Sequence, residues 1–169
     1  MNAAHRRLLF TVIILAALLL QVGVAGEISV GSVKPDILLT ATICWALFEG
    51  PTRGALFGFW GGLLEDVFTT AVLGVGAFAK TLIGYFSGEL RQRVVSKSVV
   101  WPMLIVFVAT LLHELIKFAA WTMVGLEQRP PLNPGVVFGL ALYNSVLTLA
   151  VYPLLGRFAA REEREMMFQ

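Results

Sequence analysis

Six apolar stretches, at about 8–25, 37–48, 54–68, 73–90, 99–121 and 135–156, are joined by short links rich in charge, glycine or proline. That alternation leaves few folds open. A helix rises ~1.5 Å per residue and a bilayer's hydrocarbon core is ~30 Å thick, so about 20 residues cross it. Stretches one, five and six have the length; two and three are short, with eleven uncharged residues from Gly54 to Leu64. Only 14% of the chain is charged and 57% is hydrophobic, where a soluble domain carries about a quarter of its residues as charged ones. A water-soluble fold of 169 residues cannot hide that much apolar surface, so the excess faces lipid. The expected fold is an all-α integral membrane protein: one transmembrane domain over residues 1–169, six spanning helices, the second and third short.

The formal charge of +2 and the absence of a basic tract with interleaved aromatics argue against a nucleic-acid partner. Cys44 is the one cysteine, which excludes an intrachain disulfide or a CxxC pair and reads as a small apolar helix residue. The start, "MNAAHRRLLFTVIILAALLLQVGVAG", has the outline of a signal peptide. Its apolar run is longer than a typical signal core, and it is read as a retained first span.

Lys and Arg accumulate in cytoplasmic loops. With six crossings, Arg6, Arg7, Arg53, Arg91, Arg93, Lys97, Arg157, Arg161 and Arg164 fall on one side, nine of thirteen basic residues. The opposite loops hold Lys34 and Arg129, the latter in "GLEQRPPLNPG" at 125–135. Both termini are therefore expected in the cytoplasm. A re-entrant hairpin of stretches two and three would leave the other orientations unchanged; Glu49 and Arg53 at its tip favour two short spans. Pro35 and Asp36 read as the first turn of stretch two, and Asn133 and Pro134 as cap and first residue of stretch six. Trp45, Trp101 and Trp121 are expected near interfaces and Trp60 inside.

Gly54, Gly58 and Gly62 recur at i, i+4 and i+8, and Gly84 with Gly88 and Gly135 with Gly139 repeat the spacing. In lipid, small residues allow close helix contact, so these positions are read as internal packing seams or as a partner-helix interface. Ionisable groups at depth are costly and normally face inward with partners. At ~1.5 Å per residue, Glu65 and Asp66 lie about 18–20 Å from Arg53, and Lys80 about 15 Å from Leu90. His113, Glu114 and Lys117 lie about 21–27 Å from Val99. These depths overlap. Thr110, His113, Glu114 and Lys117 make a stripe at i, i+3, i+4, i+7, and Tyr143, Asn144, Ser145 and Thr148 give stretch six a polar patch. The expected pairing sets Asp66 or Glu65 on Lys80, and Glu114 on Lys117 or His113.

No reaction suggests itself. "HELIK" at 113–117 resembles half of a HExxH zinc motif, but Lys117 stands where the second histidine belongs. Neither a GxSxG elbow nor a Walker A loop is present. The residues call for no metal, no cofactor and no catalytic group.

"KPDILL" (34–39), then a glycine-rich helix ending in "GLLEDVFTTAVLGVGAF" (62–78), then "GYFSGELRQRV" (84–94) form an ordered set. Together they resemble the rod shape-determining protein MreD family of bacterial inner-membrane proteins. The family pattern "PD…GLxxD…LG" falls on Pro35, Asp36, Gly62, Asp66, Leu73 and Gly74; Glu65 and Lys80 are outside it. The resemblance implies a multi-pass, non-enzymatic scaffold of the cell-elongation machinery that supports lateral peptidoglycan synthesis. It also implies association with MreC, through MreC's transmembrane helix, and with MreB, RodA and a penicillin-binding transpeptidase. Short stretches two and three and the glycine faces are the expected seat of the MreC helix. MreD-like proteins resemble in fold the six-helix substrate-binding subunits of energy-coupling-factor vitamin transporters, which supplies the competing function. Those subunits commonly carry Ala-xxx-Ala in their first helix, whereas Leu20 and Gln21 follow Ala16 and Ala17 here. A carrier of lipid or wall precursor is a third possibility.

Overall fold

The computed structural model describes residues 3–69, 73–91, 98–123, 125 and 133–167. Six helices follow in order: α1 (Ala3–Gly23), α2 (Ile37–Glu49), α3 (Pro51–Thr69), α4 (Val75–Glu89), α5 (Val100–Met123) and α6 (Pro134–Met167). Two of them, over Val100–Met123 and Pro134–Ala159, are long and apolar enough to cross a membrane. The basic residues Arg93, Lys97 and Arg129, and most of the 125–135 loop, lie outside the described residues.

Helix α2 is the axis of the bundle. Every residue from Ile37 to Leu47 is buried, and α1, α3, α4, α5 and α6 all pack on it. A helix enclosed on all sides needs no polar face, which explains why its sequence is apolar throughout. At 13 residues it is about 20 Å long. Asp36 lies just outside the helix as its N-cap, its carboxylate accepting from Leu39 N at 2.7 Å, so the acid caps the helix rather than filling its first turn. Gly50, at φ 90°, turns the chain sharply into Pro51, the first residue of α3. At α6, Asn133 accepts from Gly135 N and Val136 N, and Pro134 opens the helix.

The closest contact is between α3 and α4, and glycine makes it possible. A Cβ on Gly54 would meet Gly84 O at 2.4 Å, one on Gly58 would meet Lys80 O at 2.2 Å, and one on Gly62 would meet Ala77 Cα at 2.7 Å. Gly88 approaches Pro51 Cα at 2.4 Å on the same terms. These glycines are occupied by each other's helices, so the expected seat for another protein's helix at Gly58 and Gly62 is already filled. Among the described residues Gly135 and Gly139 form no helix seam: a Cβ on the first meets its own cap, Asn133, and on the second the Val33 side chain of the α1–α2 connection.

Outside, large apolar side chains stand exposed on every helix but α2, among them Leu19, Phe68, Phe86, Leu112 and Leu149. Two tryptophans exchange their expected places. Trp45 is buried against Phe10 and Phe57, because α2 is enclosed on all sides, while Trp60 is 50% exposed beside Phe59. Trp60 is displaced outward because the seam side of α3 has no room for an indole. Helix α6 also outruns its apolar stretch, continuing to Met167 through Ala, Arg, Glu and Met, which favour helix without needing lipid.

Gly58→Leu is expected to destabilise the protein by about 3 kcal/mol or more through overpacking. Gly135→Ala should stay within about 0.5 kcal/mol of wild type. Thermal unfolding in detergent of both variants is the check.

Candidate functional site

The N-terminus of α2 is where the polar side chains of the bundle meet. Its first N–H groups lack helical partners, and three other helices reach them or their cap. From α1, Gln21 Oε1 accepts from Ile37 N at 2.7 Å while its amide nitrogen donates to Pro35 O at 3.4 Å. From α6, Asn144 Oδ1 accepts from Asp36 N at 3.0 Å, and its nitrogen donates to Thr110 of α5 at 3.3 Å. From α4, Lys80 Nζ donates to Asp36 Oδ2 at 2.9 Å. Ser145 Oγ adds a bond from α6 to Met103 O of α5 at 3.0 Å.

Lys80 is the hub. It is 2% exposed and holds Glu65 of α3 at 2.7 Å as well as Asp36, so one ammonium joins α2, α3 and α4. The expected partner Glu65 is there; Asp36, read only as a helix opener, is the second.

Glu65 and Asp66 are neighbours with different tasks. Successive residues point about 100° apart around a helix, so the two carboxylates cannot serve one partner. Glu65 faces Lys80. Asp66 faces the start of α4, where its Oδ2 accepts from Gly74 N at 2.8 Å and Ala77 N at 3.1 Å. A carboxylate across free N–H groups at a helix start gains both hydrogen bonds and dipole attraction. Gly76 lets it in, since a Cβ there would meet Asp66 Oδ1 at 2.2 Å. Of the family-motif positions, Asp66 therefore touches Gly74 directly, Asp36 touches Lys80, and Gly62 lies in the α3–α4 seam; Leu73 is exposed.

The stripe on α5 divides by depth. Thr110 and His113 are fully buried, while Glu114 and Lys117 are half-buried at its edge. Glu114 Oε1 lies 3.2 Å from His113 Nδ1 and 3.3 Å from Lys117 Nζ, bridging both. Among the described residues His113 Nε2 is buried without a hydrogen-bond partner. Among the described residues no three His, Cys, Asp or Glu side chains gather as a metal site.

Gln21 and Asn144 carry as much of this arrangement as the charges do. Each is an amide inside an apolar run, the signal that could have placed Gln21 with the polar set.

Ion pairs and capped helix ends inside, apolar side chains outside: the fold is that of a membrane-associated helical bundle. Residues 1–161 match the family model of the rod shape-determining protein MreD, and the chain belongs to that family. Its role is accordingly in determining rod shape, as a component of a shape-determining machinery. No curated protein and no solved structure matches the chain.

Lys80→Met removes the one cation between two carboxylates and is expected to cost about 3–5 kcal/mol. Lys117→Met, at a partly exposed pair, should cost about 1 kcal/mol or less. Unfolding midpoints measured side by side give the comparison; equal losses would contradict the role assigned to Lys80.

Proposed function

We propose that this chain is a non-enzymatic scaffold of the bacterial cell-elongation machinery, embedded in the inner membrane with six crossings and both termini in the cytoplasm. It binds MreC and through it supports lateral peptidoglycan synthesis, within a larger set that includes MreB, RodA and a penicillin-binding transpeptidase. The observation that carries this reading is the family match over residues 1–161, which takes in helices α1 to α5 whole and most of α6. The architecture is compatible with it. Polar groups are used on each other to lock six helices together, and the outer surface is left apolar for lipid and for partner helices. Family membership favours the scaffold over vitamin carriage.

The partner helix must use a face other than the α3–α4 glycine seam. A lateral groove of about 260 Å³ between α1 and α3, lined by Phe10, Thr11, Ile14, Leu15, Trp60 and Leu64, is one such face. Exposed Trp60 supplies a rigid aromatic anchor of the kind that dominates interface energetics.

Two measurements test the proposal. Expression of this chain in rod-shaped cells depleted of their own MreD should restore rod shape, and persistent rounding would count against the function. In a detergent pull-down with MreC, Trp60→Ala should lower recovery at least about tenfold, the effect of ~1.4 kcal/mol, at unchanged thermal stability. Full recovery would move the interface elsewhere.

A further inference from the structure

Charge does not balance around Lys80. Asp36 and Glu65 share one ammonium, at 2.9 and 2.7 Å, and among the described residues no further unpaired cation faces them: Lys117 of α5 also faces Glu65 but is paired with Glu114. On α3, Asp66 is engaged by the N–H groups opening α4. On α5, Glu114 is matched by Lys117, and His113 in its neutral form with the proton on Nδ1 donates to Glu114. Helices α1 and α6 bring neutral groups, Gln21, Asn144 and Thr148. Glu27 and Lys34, in the α1–α2 connection, are exposed. With both carboxylates ionised the set Asp36–Glu65–Lys80 would bear one net negative charge inside the bundle. An uncompensated buried charge costs several kcal/mol, and proteins commonly remove it by changing protonation.

The two carboxyl groups are not equivalent. Asp36 has two donors, Leu39 N and Lys80 Nζ, and caps a helix whose dipole favours an anion. Among the described residues Glu65 has one contact partner, Lys80, and no donor at its second oxygen. Hydrogen bonding to the charged form therefore favours ionised Asp36 and leaves Glu65 as the group that can be neutral.

We propose that the folded chain binds a proton at Glu65, so that Lys80 is matched by one carboxylate, Asp36, and accepted by the carbonyl oxygen of a carboxylic acid. Two carboxyl groups that share a site with room for one negative charge divide their roles in this way. The site is also a joint. Lys80 lies on the α3–α4 seam, its backbone oxygen against Gly58, and its side chain clips that seam to the start of α2. Release of the proton sets two anions against one cation at that point, so the contact of α2 with the α3–α4 pair responds to protons. This inference is independent of which partner the outer surface meets.

Infrared spectroscopy of the full chain in lipid nanodiscs at neutral pH provides the test, with glutamate-selective 13C labelling. The expected result is a protonated-carboxyl carbonyl band that shifts with the label, disappears in Glu65→Gln and persists in Glu114→Gln. A wild type lacking a label-sensitive band, as it would if the spare proton rested on His113, overturns the proposal. So does a band that survives in Glu65→Gln. A second measurement needs no variant. The folded chain holds a proton that the unfolded chain gives up, so wild-type stability should fall as pH rises above about 7.5, where an unfolded histidine is already neutral and His113 no longer adds the opposite slope. A wild-type stability that is flat or rises over that interval overturns the proposal equally.

Discussion

The attachment of one helix start to its surroundings governs this structure. A helix N-terminus leaves backbone donors unmet, and inside an apolar bundle each unmet group is expensive. Here the first N–H groups of α2 and their cap are met by Gln21, Asn144 and Asp36, and Asp36 in turn is met by Lys80. Because those partners come from three other helices, satisfying one helix end also fixes the relative positions of α1, α4 and α6. Dispersion and close packing fill in the remainder, and the ion pair with Glu65 brings in α3.

The α3–α4 seam complements that polar knot. Without a hydrophobic force between helices in lipid, close backbone approach is the main source of association. Gly54, Gly58 and Gly62 against Gly84, Lys80 and Ala77 provide it, and Asp66 with Gly76 closes the top of the same interface. One helix thus carries two recognition codes for the next: small residues along its length and a carboxylate at its end.

Much of the helical framework could be read from apolar length, because hydropathy registers each stretch independently of its neighbours. The capping signal of Asn133 was equally local, whereas Asp36 was legible only as an acid near the start of α2. What one-dimensional spacing does not carry is depth within the bundle: Trp45 and Trp60 have similar surroundings in sequence, yet α2 is enclosed and α3 has a free side. The pairing of an α3 carboxylate with Lys80, and of Glu114 with its neighbours on α5, could be anticipated from spacing, but Asp36 as the second partner of Lys80 could not. Glu65 and Asp66 are equivalent as letters, and only the rotation between neighbours separates the one that reaches Lys80 from the one that reaches α4. The Asp36–Lys80 bond spans 44 positions and the Asp36–Asn144 bond 108, separations at which no periodicity is informative.

Those long separations bear on the order in which the bundle assembles. While ribosomes deliver α2 and α3, neither the ammonium of α4 nor the amide of α6 yet exists to receive their polar atoms. The polar groups of the early helices must therefore wait for their partners until later helices arrive. Assembly of this bundle is completed backwards, with α6 closing a contact at the start of α2.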